Sequence, residues 1–301
     1  NEDKAASAAA VTQKLIYQDN VLAMIGPNAS RNAIPAAQIA EGARVPMITP
    51  WSTNPATTRD KRYVFRAAFT DDFQGRVVAS FAYSELGART AAVLFDVASD
   101  YNKGIAEIFR ASFEALGGRV VAYETYTTGD KDFTAQLTKI RAANPDVLFL
   151  PNYYSEVPLQ VQQAQRLGLR ATIVGSDSWG SAELLTLGGS AMEGLFFTTH
   201  YAPDIATPVA RAFIDAYRQR YGSVPDDVAA LTYDSFQLLF AAIQAAGRVD
   251  REAVRNALAG IQRFEGVTGT MTFQGTGDPV KSAVVIQIKN GAFTYYGSAQ
   301  P

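Results

Sequence analysis

The sequence contains no cysteine and only one histidine, His200. Without cysteine, disulfides, thiol catalysis and cysteine-ligated zinc are excluded. A serine–histidine–acid triad would have to use His200, and no Gly-x-Ser-x-Gly segment accompanies it. The glycine-rich signatures of nucleotide binding are missing as well. These absences disfavour an enzyme, although carboxylate pairs brought together from distant segments remain an alternative, and His200 is expected to have a structural or surface role.

Long apolar runs and an excess of one charge are also missing. No apolar stretch reaches the roughly 18 residues that a membrane-spanning helix needs. The 27 basic and 29 acidic residues are spread along the chain and give a formal net charge of −2. This balance does not favour nucleic-acid binding. A chain of 301 residues, 48% of them hydrophobic, is typical of a globular protein with about two domains.

Short apolar strands alternate with helices through much of the chain. Strands are predicted at 21–25, 45–49, 63–66, 91–95, 120–125, 147–150, 173–174 and 194–198. Alternation of this kind is typical of parallel sheets covered by helices on both faces, so we predict an α/β fold. Three helices, at 208–221, 227–246 and 251–259, have no strands of their own. The final strands surround Asn290-Gly291, which predicts a type I′ hairpin.

The segment 24–57 carries the clearest candidate site. It is predicted to fold as strand, helix and strand, with Pro35 in the first turn of the helix. Parallel strands place both following loops at one carboxyl edge, where ligands bind in open α/β sheets. The loops supply hydroxyls from Ser30, Ser52 and Thr53, and backbone N–H groups at a helix start. This combination favours a carboxylate over a metal ion.

Nine sequence strings, in order along the chain, resemble one known family. They are VLAMIGPNAS, RVPMITPWSTNP, FRAAFTDDFQG, LFDVASDYNKG, VLFLPNYYSE, QAQRLGL, IVGSDSW, LTYDSF and GTMTFQGTGD. The chain resembles the type I periplasmic binding proteins of the branched-chain amino acid (Leu/Ile/Val-binding) class of ABC importers. Each string alone has little specificity, whereas the ordered set is specific.

The resemblance implies two doubly wound, Rossmann-like lobes joined by a hinge of three segments. Lobe 1 is expected to comprise 1–69 plus 200–269, and lobe 2 to comprise 70–199 plus 270–301. The family normally opens with a strand, a helix and a strand that this sequence does not show. We therefore expect the chain to be a fragment, or the missing segment to lie on another chain, with two strand edges of the first lobe left uncovered.

In lobe 1 the resemblance places a ligand carboxylate at Ser30 and Thr53, with help from the backbone around Asn28 and Ser52. Ser30 is alternatively a simple helix cap. Trp51 stands where relatives often have small residues, and it is expected to form a wall that narrows the side-chain compartment. The alternative for Trp51 is a core tryptophan, but a loop between two prolines is a poor place for a core residue.

In lobe 2 the resemblance places an acid, Asp177, against the ligand ammonium. An amino acid ligand needs such an acid because an unpaired ammonium is costly to bury. A helix-capping role is the alternative. Tyr101 and Tyr153 are expected to line the cleft, with Tyr154 as a substitute for Tyr153 if the loop shifts by one residue. The segment around Gln74 is interpreted as structural, on the hinge side.

The implied function is solute binding, with no catalysis and no cofactor. Two lobes would close on an amino acid, expected to be hydrophobic or branched-chain, and the closed form would dock on a membrane permease. The expected partners are that amino acid and the permease; no nucleic acid is expected, and the protein is expected to be a monomer. The implied location is the periplasm or an anchored position at the cell surface. The alternative is a sensing domain of the same fold for amides or small organic acids.

Overall fold

A computed structural model of the chain describes residues 2–301. Its α-helices are α1 (Ala5–Tyr17), α2 (Ser30–Gly42), α3 (Asp71–Ser80), α4 (Asp100–Ala115), α5 (Thr134–Ala143), α6 (Val157–Arg166), α7 (Glu183–Gly188), α8 (Pro208–Tyr221), α9 (Asp227–Ala246) and α10 (Arg251–Ala259). A π-helical turn, Phe81–Glu85, extends α3. Helices α8, α9 and α10 have the bounds predicted at 208–221, 227–246 and 251–259.

The strands complete the α/β pattern predicted from the alternation. They are β1 (Met24–Ile25), β2 (Met47–Thr49), β3 (Val64–Arg66), β4 (Thr90–Asp96), β5 (Arg119–Tyr126), β6 (Val147–Leu150), β7 (Thr172–Gly175), β8 (Phe196–Thr199), β9 (Phe264–Gly266), β10 (Gly269–Phe273), β11 (Pro279–Val280), β12 (Ala283–Lys289) and β13 (Ala292–Ala299). The predicted fold class, α/β with mainly parallel sheets, is confirmed.

The chain divides into two compact units. Unit 1 comprises residues 2–70, 206–282 and 300–301, and unit 2 comprises residues 71–205 and 283–299. The lobe bounds expected from the sequence place 270–282 in lobe 2. Residues 269–282 lie in unit 1 instead, because β10 pairs with β9 and β11 in a separate three-stranded antiparallel sheet.

Unit 1 contains the parallel sheet β1-β2-β3. Met24 pairs with Met47, and Met47 pairs with Val64, so the three strands run side by side in one direction. A row of alanines on α2 packs into the apolar core with these strands; it consists of Ala33, Ala36, Ala37 and Ala40, all fully buried. Their small side chains allow the helix backbone to approach the sheet closely, which keeps the loop before α2 next to the loop after β2.

The prediction that Pro35 lies in the first turn of α2 is wrong. The helix begins at Ser30, so Pro35 lies inside it, beyond the first turn. Proline has no N–H to donate to the carbonyl four residues earlier, and it normally disfavours a helix interior. The helix nevertheless continues to Gly42, and the fully buried alanines on both sides of Pro35 show how closely this face is packed.

Unit 2 contains a seven-stranded sheet in the order β13-β12-β8-β7-β6-β4-β5. Strands β4 to β8 are parallel, and β12 and β13 add an antiparallel hairpin at one side. Asn290 and Gly291 both adopt positive φ at the hairpin tip, as the predicted type I′ turn requires. The parallel strands end together at one carboxyl edge, where Asp177 and Tyr153 follow strands and Tyr101 lies in the first turn of α4.

Candidate functional site

In unit 1 the loops that follow β1 and β2 are joined by a chain of hydroxyls. The Ser30 and Ser52 Oγ atoms are 2.9 Å apart, and Ser52 Oγ lies 2.8 Å from Thr57 Oγ1. Thr49 Oγ1 donates to the Pro27 carbonyl oxygen at 2.5 Å. These bonds hold the two loops together at the edge predicted for a ligand carboxylate.

Ser30 is not the N-cap of α2. The N-cap position is Ala29, which makes no side-chain capping bond, and Ser30 is the first helical residue. Its hydroxyl bonds to Ser52 and accepts the Asn54 N–H at 3.4 Å. The simple capping interpretation is therefore wrong, because the Ser30 hydroxyl is directed to the neighbouring loop rather than to its own helix.

Thr53 differs from the other hydroxyls of this edge. Its side chain is fully buried, and within residues 2–301 its Oγ1 has no hydrogen-bond partner. Such a group normally costs free energy unless a ligand or water satisfies it. Trp51 beside it is 9% exposed, and Asn28 in the preceding loop is half-buried. The structure thus gathers Ser30, Ser52 and Thr53 at one edge, with Trp51 on the same loop.

Arg66 was not singled out from the sequence, yet it supports this loop. Its side chain is fully buried at the end of β3. The guanidinium donates to the Ser52 carbonyl oxygen at 2.6 Å and to the Asn54 carbonyl oxygen at 3.0 Å. The only available signal was that Arg66 belongs to the string FRAAFTDDFQG, which contributed to the resemblance.

In unit 2, Asp177 opens a short 3₁₀ turn, Asp177–Trp179, directly after β7. The turn is locked by Trp179, whose indole N–H donates to the Leu150 carbonyl oxygen at 3.1 Å. Gly175 allows this packing, because a Cβ at that position would lie 2.2 Å from the indole ring. The glycine therefore lets a large aromatic side chain fold against the strand end and hold the turn that carries the acid.

The Asp177 carboxylate is surrounded by hydrogen-bond donors. It is 1% exposed, and its Oδ1 accepts the Tyr101 hydroxyl at 2.6 Å and the Gln74 side-chain amide at 2.8 Å. Burial, together with the nearby negative charge of Asp177, raises the pKa of Tyr101 well above its usual value. Tyr101 is therefore a fixed neutral donor to Asp177.

Gln74 and His200 have contacts that their sequence interpretations did not include. The Gln74 amide oxygen accepts the Asp177 backbone N–H at 2.8 Å, so this one side chain binds both the backbone and the carboxylate. The His200 Nε2 lies 3.4 Å from Asp177 Oδ2, and the imidazole is buried. Gln74 remains structural in the sense that it shapes the site, and His200 is a buried neighbour of the acid rather than a surface residue.

Tyr153 lies beside Tyr101, with ring centroids 5.5 Å apart. Tyr153 and Tyr154 are both half-buried and pack against different apolar clusters of unit 2, and the Tyr154 backbone N–H donates to the Ser178 carbonyl oxygen. The structure thus brings Asp177, Tyr101 and Tyr153 to one edge of the unit 2 sheet. Of the two tyrosines considered for this loop, Tyr153 is the one next to Tyr101.

Within residues 2–301, no group of three or more acidic or histidine side chains is arranged to hold a metal ion. No helix within the same residues has the length and apolar character required to cross a bilayer. The candidate residues described above are hydroxyls with Trp51 in unit 1, and an acid with two tyrosines in unit 2.

Comparison with known proteins gives a consistent result. A family model described as periplasmic binding protein matches residues 1–292. A leucine-, isoleucine-, valine-, threonine- and alanine-binding protein from Pseudomonas aeruginosa is 32% identical over 291 residues, covering 96% of this chain and 74% of the relative.

Solved structures agree with this match. A leucine-binding protein from Thermotoga maritima has a TM-score of 0.96 at 39% identity, covering 99% of this chain and 85% of that one. A branched-chain amino acid transporter substrate-binding protein from Streptococcus pneumoniae, solved with isoleucine, has a TM-score of 0.93 at 34% identity, covering 100% and 86%. The resemblance found in the sequence is confirmed. The chain belongs to the periplasmic binding protein family.

Proposed function

We propose that the protein is a solute receptor that binds an amino acid with a hydrophobic, branched side chain. Ser30, Ser52 and Thr53 in unit 1 would bind the ligand carboxylate, with the backbone around Asn28. Asp177 in unit 2 would bind the ammonium. The two units of the structure would correspond to the two lobes of the receptor. The observation that carries the proposal is the environment of Asp177.

Asp177 is a buried acid without a strong counter-charge. No lysine or arginine within residues 2–301 lies within 4.0 Å of its carboxylate oxygens; the one basic neighbour at that range is His200. The donors on Oδ1 come from neutral groups, Tyr101 and Gln74. These neutral donors bring no positive charge to the carboxylate. A cationic ligand group is the natural partner for such a carboxylate.

The unit 1 loops complement this arrangement. They offer hydroxyls and the start of α2, where backbone N–H groups lack helical partners. The buried Thr53 hydroxyl, which has no hydrogen-bond partner within residues 2–301, is the group we assign most directly to the carboxylate. Hydroxyl and N–H donors at a helix start favour an anion, so the two units together suit a zwitterion.

Aromatic side chains would enclose the rest of the ligand. Trp51 adjoins the carboxylate residues in sequence, and Tyr153 lies against Tyr101. Large, rigid aromatic surfaces favour apolar ligand side chains. The relatives named for leucine, isoleucine and valine support a branched aliphatic side chain for this ligand as well.

We further propose that the receptor acts in the periplasm, or anchored at the cell surface, and delivers its ligand to an ABC permease. The relative solved with isoleucine is named as the substrate-binding protein of a branched-chain amino acid transporter. A monomer without enzymatic activity is sufficient for this role.

Titration calorimetry with a ligand panel tests the function. We expect micromolar or tighter binding of leucine, isoleucine or valine, which corresponds to about −8 kcal/mol or better. The panel also contains benzoate as a small organic acid and leucinamide as an amide. Tighter binding of benzoate or leucinamide than of every amino acid would support the alternative of a sensor for acids or amides. Product formation from any ligand would contradict a pure receptor.

A further inference from the structure

The side chain of Arg66 is fully buried and directed to the candidate carboxylate loop. A guanidinium carries five N–H donors. Four hydrogen bonds are present, to the Ser52 and Asn54 carbonyl oxygens, to Thr58 Oγ1 and to Asp278 Oδ1. Three of these bonds end on the segment 52–58, so this one cation fixes the path of the loop.

The bond to Ser52 also orients the next peptide N–H. In a planar trans peptide the carbonyl oxygen and the following N–H point in opposite directions. Because the Ser52 carbonyl oxygen points at Arg66 over 2.6 Å, the Thr53 N–H points away from the guanidinium. Arg66 therefore turns the donor side of this peptide outward from the buried cation, which is the orientation needed to bind an anion at the loop.

The charge of Arg66 is only partly neutralised. Within residues 2–301 its one carboxylate partner is Asp278, at 2.6 Å, and the Asp278 side chain is 36% exposed. Solvent screens an exposed charge much more than a buried one. Asp278 lies on a turn held against β3, where the Arg66 N–H donates to the Gly277 carbonyl oxygen at 2.9 Å. Because the buried charge of Arg66 is paired with a part-exposed acid, a positive electrostatic potential remains at the segment 52–58.

We propose that Arg66 is a positioning residue that orients the Ser52–Thr53 peptide and supplies positive potential for an anionic ligand group, with Asp278 setting how much of that potential remains. The inference rests on the proposed function and deepens it. It assigns selection of the carboxylate to a residue that does not touch the ligand.

Two variants test the proposal by calorimetry with leucine. Asp278→Asn keeps the side-chain oxygen that accepts from Arg66 but removes its negative charge, so leucine should bind roughly two- to fivefold more tightly. Arg66→Lys keeps the positive charge but loses the planar guanidinium with its several N–H donors, so leucine should bind about tenfold more weakly. The matched control is Glu265→Gln, which removes an acid from the exposed Arg263–Glu265 pair in the same unit and should leave affinity unchanged.

Tighter leucine binding by Asp278→Asn is the decisive result. If Asp278 only held the loop in place, altering it would weaken leucine binding. Weaker or unchanged leucine binding by Asp278→Asn overturns the proposal while the wild type still binds. Failure of the wild type to bind any amino acid overturns the proposed function itself, so the two failures are distinct. Asp278→Asn decides the matter even if Arg66→Lys does not fold.

Discussion

The two units differ in the charges that they bury. Within residues 2–301, unit 1 buries Arg66 and Lys281 together with the acids Asp227 and Asp234. Unit 2 buries the acids Asp71, Asp96 and Asp177, and no lysine or arginine. Burial strengthens electrostatic interactions because screening by water is reduced. The buried cation Arg66 beside the loop 52–58 suits an anionic group in unit 1, and the buried acid Asp177 suits a cationic one in unit 2.

The way each candidate half-site is stabilised also differs. In unit 1 a buried cation, Arg66, donates hydrogen bonds to the backbone of the loop that carries Ser52 and Thr53. In unit 2 neutral side chains, Gln74 and Tyr101, hold the acid itself. Substitutions should therefore affect the two units differently.

Removing the charge of Asp177 should have the largest effect. Asp177→Asn keeps the shape but loses the charge that would pair with the ligand ammonium, and we expect leucine affinity to fall about 100-fold or more. Calorimetry measures the loss. Asp146→Asn is the control, since Asp146 is an exposed acid of the same unit that accepts the Arg89 and Thr90 N–H groups. Equal losses in both variants would contradict the assignment.

Gly175→Ala should destabilise unit 2. The added methyl would lie 2.2 Å from the Trp179 ring, so the indole must move, and overpacking of this kind costs roughly 1–3 kcal/mol. Chemical denaturation measures the change in the free energy of unfolding. Gly297→Ala is the control in the same unit, because a Cβ there meets no atom within 4 Å. Equal stability of the two variants would show that the Trp179 packing is not needed.

Lys281 should make stability depend on pH. Burial lowers its pKa from 10.5 to about 8, against the opposing influence of Asp234 and Asp227. Between these values the unfolded chain binds more protons than the folded one, so stability increases as pH rises from about 8 to 10. Between pH 8 and 10 the free energy of unfolding of the wild type should increase by on the order of 1–2 kcal/mol more than that of Lys281→Met.

Denaturant unfolding of both proteins at several pH values measures this gain. Lys281 donates to the Ala67 carbonyl oxygen and to Thr268 Oγ1. Loss of these two hydrogen bonds should lower the free energy of unfolding of Lys281→Met by a similar amount at every pH. If the free energy of unfolding depends on pH in the same way for the wild type and for Lys281→Met, the pKa of Lys281 is not lowered.

Thr53→Val should have the smallest effect. The substitution replaces the hydroxyl by a methyl of similar size, and loss of one hydrogen bond to a carboxylate should weaken leucine binding about tenfold. The matched control is Thr199→Val, which alters another buried hydroxyl that has no hydrogen-bond partner within residues 2–301. If both variants bind leucine as the wild type does, Thr53 is not a ligand residue.

The sequence predicted the fold class and the elements that carry the site. Strand–helix alternation is a local signal, and the carboxyl-edge rule then places the loops that contain Ser30, Ser52 and Asp177. Element boundaries were less certain: β1 is confined to Met24–Ile25, and Pro35 lies inside α2. Residues 270–282 were expected in lobe 2 but lie in unit 1, and the pairing of β10 with β9 and β11 that keeps them there is not apparent from the strand pattern alone.

The supporting residues could not be predicted in the same way. Gln74 and Asp177 are 103 positions apart, and Arg66 and Asp278 are 212 apart. Nothing local marks a glutamine that binds a distant acid or an arginine that binds a distant loop. His200 was difficult for the same reason, since its neighbour Asp177 lies on another strand–loop unit. Local patterns show which residues are suited to a site, and long-range packing decides which residues support it.

The central claim is that Asp177 recognises a ligand ammonium. Calorimetry with leucine and with 4-methylpentanoate, which is leucine without its amino group, tests this directly in the wild type and in Asp177→Asn. We predict that the wild type prefers leucine by about 100-fold and that Asp177→Asn loses most of this preference. An undiminished preference for leucine in Asp177→Asn would contradict the claim.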